Sequence, residues 1–138
     1  MLVMKNIVSK NFNSVISTVL MLITNTCLAD WEFVYKNEDG NKFYVDFDTR
    51  QIVGNSIFVL EFSNFLQRTE NNEMSIVVKT EYDCLLKRWR GISARTYEHT
   101  NLKGKMIENY EIDSNKWEIS EEGSAALAIN EKVCSFAS

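Results

Sequence analysis

The sequence predicts an α+β domain: an antiparallel meander of about six strands, with a C-terminal helix packed on one face and tied to it by a disulfide. Three observations carry this expectation. Apolar residues recur at every second position through much of residues 31–111, the period of strands with one face turned to a core. In 120–134 the apolar spacing changes to that of a helix. Cys84 lies in a strand-like segment and Cys134 at the end of the helical one.

The first 29 residues read as a signal peptide and the remaining 30–138 as a single domain. Lys5 and Lys10 stand without any acid ahead of the apolar run "VISTVLMLI", Val15 to Ile23, which is too short to span a bilayer. "TNTCLAD" then puts Cys27 and Ala29 at the small-residue positions of a cleavage site, so the cut is expected between Ala29 and Asp30. The rival reading makes Cys27 the acylated first residue of a lipoprotein, although Thr24, Asn25 and Thr26 make a poor lipobox. Export to the periplasm or the cell surface follows in either case, with membrane attachment only through a lipidated Cys27. The chain carries −4 overall and the leader +2, which leaves the domain near −6 and without general attraction for nucleic acid.

Each element has its own signal. Trp31, Phe33 and Tyr35 alternate with Glu32, Val34 and Lys36 in a first strand whose aromatic side is expected to face the core. "NEDGN" supplies a turn, and Phe43, Val45 and Phe47 alternate with Lys42, Tyr44 and Asp46 in a second strand. After Gly54 and Asn55, Phe58, Leu60 and Phe62 share one face of a third, with Glu61 and Ser63 opposite. "QRTENNE" is a polar surface loop. Ile76, Val78, Thr80, Tyr82 and Cys84 face one way in a fourth strand, towards the layer where a helix would meet them. "RWRGISARTYEHT" returns as a fifth, with Gly91 marking a bulge or close approach, and Lys105 to Glu111 form a sixth. Ser120 or Ser124 caps a helix that carries Ala126, Ile129 and Val133 on one side and ends near Cys134. Between Asp30 and Phe62, five Phe or Trp positions offer more apolar surface than one helix hides.

Once the leader is cut, the three cysteines become two, and an even pair in an exported domain reads as a Cys84–Cys134 disulfide. A metal site lacks material, because there is no C-x-x-C and His99 is the single histidine.

Taken in order, the exported leader, the aromatic strand from Trp31, "FYVDFDTRQI", "EYDC" followed by "WR", Tyr97, Trp117, "GS" and "VC" resemble the surface-adhesin protein E family. The resemblance spans Trp31 to Cys134 and departs from the family in having no proline between Trp117 and Ser124. It implies a small exported bacterial protein with an antiparallel sheet, a C-terminal helix and a disulfide. It further implies a capacity to dimerise and to bind host extracellular-matrix or plasma proteins.

Residues with chemical potential point elsewhere than to catalysis. Glu98 and His99 fall on opposite faces of their strand by alternation, and Ser93 lacks the strained elbow of a nucleophile. Asp46, Asp48, Asp39 and Asn41 are too few oxygens for a calcium loop and read as turn and strand-end residues. Arg88, Trp89 and Arg90 are the candidate interaction residues, since Trp and Arg are favoured anchors in protein contacts. The expectation is a non-enzymatic exported binding protein with no cofactor, a protein partner and a homodimer as its associations. The alternative is a periplasmic accessory subunit that works by dimerising or by strand addition.

Overall fold

The computed structural model describes residues 29–113 and 115–135. Most of the expected leader, including Val15–Ile23 and Cys27, lies outside them, while Ala29 and Asp30 are exposed chain directly ahead of the first strand. The strands are β1 (Trp31–Lys36), β2 (Lys42–Val53), β3 (Ser56–Asn64), β4 (Ser75–Asp83), β5 (Arg88–His99), β6 (Lys103–Glu111) and the two-residue β7 (Glu118–Ile119). The helix α1 spans Ala125–Cys134. The strands β1 to β6 pair in sequence order, all antiparallel. The outer edge of β5 is shared, with β6 pairing along Ser93–His99 and β7 along Arg88–Trp89.

Local chemistry explains the turns. Asn37 N–H donates to the Asn41 carbonyl and the Asn37 side chain accepts from Asn41 N–H, while Gly40 takes the left-handed φ of +82° that closes the β1–β2 turn. The loop expected at Gln67–Glu73 is held by the Thr69 hydroxyl, which donates to Glu73 and accepts its N–H, and by Arg68, which donates to the carbonyls of Asn72 and Glu98. Ser124 is the helix cap, accepting from Leu127 N–H at 3.1 Å.

The helix lies across one face of the sheet. Val45, Ile57, Val59 and Tyr82 from the strands and Ile129 and Val133 from α1 form the buried core, flanked by Val34, Phe43, Phe47 and Trp89. Cys84 and Cys134 are bonded, with their Cα atoms 5.6 Å apart and 50 residues apart in sequence. At the other flank Lys132 pairs with Glu32, and the Tyr35 hydroxyl donates to the Gly123 carbonyl.

Three of the sheet's five register shifts redistribute side chains in β1, β2 and β5 and correct the expected pattern. The shift between Phe33 and Tyr35 separates the β1 aromatics, leaving Trp31 and Phe33 on the helix-free face and sending Tyr35 to the helix side. A second shift, between Asp46 and Gln51, interrupts β2, which resumes pairing with β3 from Gln51 to Val53. The Thr49 hydroxyl maintains the ladder there by donating to the Asp46 carbonyl (2.7 Å) and accepting from Leu60 N–H (2.9 Å). The third leaves Ile92 without a partner in β4, though its carbonyl accepts the Ile112 N–H, and at the adjoining Gly91 a Cβ would stand 2.7 Å from Ile112.

In β3 the helix-side residues are Ile57 and Val59, so Phe58, Leu60 and Phe62 share the opposite face. Glu61 consequently turns towards the helix side. Its carboxylate accepts the Tyr82 hydroxyl at 2.6 Å and the Thr80 hydroxyl at 3.0 Å. Burial pushes the Glu61 carboxyl up, against the two hydrogen bonds that lower it, and burial also drives the Tyr82 phenol up so that it stays a donor. Asp83 behaves oppositely: the N–H of Leu86, with help from Arg88 and Leu85, holds its carboxyl below the usual range.

Two outcomes follow from this packing. Urea unfolding with and without reductant should show the reduced protein less stable by up to about 4 kcal/mol, the chain-entropy value for a loop of this length. The raised Glu61 carboxyl means that the folded chain holds this proton more tightly than the unfolded one, so the associated stability is present at low pH and lost as pH rises through the folded pKa. Urea titrations at several pH values should therefore show wild type losing stability relative to Glu61→Gln as pH increases. Asp83 sets the opposite limb, lost as pH falls through its depressed pKa, and that limb should persist in the variant.

Candidate interaction surface

Because α1 covers one face only, the other face of the sheet has no second layer among the described residues. Its first half, on β1 to β3, is aromatic. Tyr44 and Phe62 are neighbours in the β2–β3 ladder and stack at 4.5 Å, Trp31 meets Phe62 edge-on at 4.8 Å, and Phe33 meets Tyr44 at 5.6 Å. Phe62 is thereby buried, whereas Phe33, on the outermost strand, is 50% exposed.

Across the sheet the same face becomes ionic. Arg90 and Glu81 are paired residues of β5 and β4, with Nε 2.6 Å from Oε2, and Arg88 sits two pairs further on with Nε 3.0 Å from Asp83. Ser56 donates to Glu81 at 2.8 Å. Trp117 lies over both guanidinium groups, at 4.4 Å from Arg88 and 4.3 Å from Arg90. Between the halves Leu60, Val77, Lys79, Ser93 and Arg95 line a shallow hollow of about 240 Å³.

The expected triplet is therefore divided. Arg88 and Arg90 share the ionic half, but alternation turns Trp89 through to the helix side, where it packs against the core. Asp46 is buried and accepts from Asp48 N–H, which makes the D-x-D pair part of the β2 bulge rather than a strand end. Glu98 and His99, expected on opposite faces, approach to 3.9 Å because the β5–β6 register shifts at Tyr97 and His99 carry the His99 ring over Gly104. Both remain largely exposed. Among the described residues no group of three or more His, Cys, Asp or Glu is placed to hold a metal, and no helix is long and apolar enough to cross a membrane.

Sequence reasoning passed over Trp117 and Tyr44 as parts of this face. Trp117 belongs to no alternating run, so its partners are visible only in three dimensions.

A family model for surface-adhesin protein E matches residues 31–135. The chain belongs to the surface-adhesin protein E family. Two structures of Haemophilus influenzae protein E share its fold. The first superposes with a TM-score of 0.55 at 10% identity, covering 79% of this chain and 86% of that one. Crystal form II gives 0.54 at 11% identity, with 79% and 90% covered. No curated protein matches the chain in sequence. This member of the family enters its helix without proline, through Gly123 at φ +75° and the Ser124 cap.

If Trp117 holds the ionic half together by stacking, Trp117→Ala should destabilise the fold by about 1 kcal/mol, the usual worth of a partly desolvated cation–π contact. Thermal unfolding at low and high salt measures it, and the loss should be the smaller at high salt, where the ion pairs it shelters are already screened.

Proposed function

We propose that this protein is a non-enzymatic binding protein of the bacterial surface that engages an extracellular host protein, of the matrix or plasma class, through the helix-free face of its sheet. As a family member it stands among adhesin-like surface proteins. The supporting observation is the aromatic half of that face. Phe33 is half exposed at the end of a Trp31–Phe62–Tyr44 cluster, and an ionic half with Arg88, Arg90 and Trp117 lies across the sheet. Aromatic and Arg side chains beside one another are the favoured composition of contact hot spots.

A second reading, an accessory subunit acting by strand addition, has its own support in β6. That strand lies at the edge of the sheet with every residue but Ile107 exposed, so its outer backbone groups are open to a further strand.

Labelling of intact cells with a membrane-impermeant reagent should modify the protein if it is displayed, and should fail if it is periplasmic. For binding, the full chain is tested against immobilised matrix glycoproteins and plasma proteins. Phe33→Ser should weaken capture by about tenfold or more, the scale of a hot-spot aromatic, while leaving the unfolding midpoint nearly unchanged. Undiminished capture by Phe33→Ser, with loss on introducing proline into β6, would favour the second reading.

A further inference from the structure

The hollow of about 240 Å³ between the aromatic and ionic halves is bordered by polar groups that neither half uses. Ser93 is paired with Lys79 across β4 and with Glu111 across β6, and Arg95 follows two residues on along β5, on the same face and paired with Asn109. A small residue among three long ones leaves the depression, with Leu60 and Val77 as its apolar part. On the neighbouring pairs Arg88, Arg90, Glu81 and Asp83 answer one another. In the hollow, by contrast, the Lys79 ammonium meets only the Phe58 ring, at 5.9 Å, and the side chains of Ser93, Arg95, Asn109 and Glu111 make no hydrogen bond or ion pair among the described residues. A second hollow of about 210 Å³, bordered by Gln51 and Phe58, shares Leu60 and Lys79 with the first and carries the concavity across to β2.

We propose that this trough binds a saccharide bearing a carboxylate, with the acid group seated between Lys79 and Arg95 and the ring hydroxyls meeting Ser93, Asn109 and Glu111. Charge selects the anion. Lys79 and Arg95 hold diagonal positions on neighbouring strands, about 7 Å apart at Cβ, against one acid in the hollow, Glu111. The acids next along the same two strands are engaged elsewhere: Glu81 by Arg90 and Ser56, and Asp113 by Asn115.

Two features select a saccharide over an acidic stretch of protein. The hollow lies over β3, β4 and β5, inner strands whose backbone groups are taken up by their ladders, so a peptide finds no strand edge to extend there. A run of carboxylates would also be repelled by Glu111, which has only acceptors to offer. A saccharide carries its charges singly, surrounded by hydroxyls that donate to Glu111 and accept from Arg95 and Asn109, and its apolar ring face suits Leu60, Val77 and Phe58. The site goes beyond the protein contact proposed around Phe33 and does not depend on it.

The test titrates the full chain, isotopically labelled, with sialyllactose, hyaluronan hexasaccharide, lactose and hexaglutamate, following amide shifts by NMR. At least one of the two carboxylated saccharides should move the amides at 77–79, 93–95 and 109–111, sialyllactose alone marking a terminal acidic sugar and hyaluronan alone an in-chain uronate. Lactose should leave them in place. Lys79→Ala and Arg95→Ala should each weaken binding about tenfold, the scale of a lost charge-assisted hydrogen bond, with the unfolding midpoint nearly unchanged because both side chains are exposed. Glu111→Ala should weaken binding as well, although it removes a negative charge, because the hydroxyls lose their acceptor. Phe33→Ser should bind the saccharide as wild type does, which separates this site from the capture of a host protein. The proposal is overturned if neither carboxylated saccharide moves these amides, if lactose moves them equally, or if Glu111→Ala tightens binding. It is equally overturned if hexaglutamate displaces the saccharide with matching affinity, since an acidic protein segment would then be the occupant.

Discussion

One ten-residue helix gives this sheet its core, and its docking onto β1, β2, β4 and β5 is the constraint from which the other features follow. Only Ile129, Asn130 and Val133 of α1 are fully buried, a contact too small to be expected to hold by itself. The Cys84–Cys134 bond fixes one end of the helix over Val45, Ile57 and Val59, and the exposed Lys132–Glu32 pair adds a weak contact at its flank. A core of this size also admits little error in polar groups. Glu61, Thr80 and Tyr82 satisfy one another, and among the described residues no buried side-chain nitrogen or oxygen is without a partner.

Committing the helix to one face decides the character of the other. A six-strand meander has two sides to protect, and here the second is protected by its own side chains rather than by another layer. Tyr44 and Trp31 cover Phe62, and Trp117 covers the guanidinium groups of Arg88 and Arg90. Self-coverage of this kind leaves ring edges and cation edges partly open, which is a different surface from the polar face usual for a one-sided sheet. The register shifts are what make it possible: without the change after Phe33, Trp31 and Tyr35 would compete for the same side.

Much of this architecture was legible in the sequence. Period-two runs located the six strands, the switch to helical spacing located α1, and Cys84 on the Ile76–Tyr82 face correctly indicated where the helix would be tied. Side assignment was legible only where alternation is unbroken, as in Phe43, Val45 and Phe47. In β3, both sets of alternate positions are apolar up to Glu61, so the pattern itself does not say which set meets the helix, and a carboxylate there reads as a solvent marker. Of the bulges, the one beside Gly91 was signalled by the glycine itself, whereas the single inserted residue at Val34 leaves no mark on composition. The surface was half legible. Arg88 and Arg90 stood out as residues, but Trp117 lies too far along the chain for any local pattern to join it to them.

The placement of Cys134 and α1 at the far end of the domain has a bearing on how the protein comes into being. Every strand-to-strand contact of the meander joins neighbours in the chain, so each hairpin can close from residues that have just been delivered. The core has no such freedom, because Ile129 and Val133 belong to the last segment to emerge. Until then the face bearing Val45, Ile57 and Tyr82 is uncovered and the Cys84 thiol has no native partner. The interval between the arrival of Cys84 and the arrival of Cys134 is therefore the period of greatest exposure to aggregation and to wrong thiol pairing, in whatever compartment the chain folds.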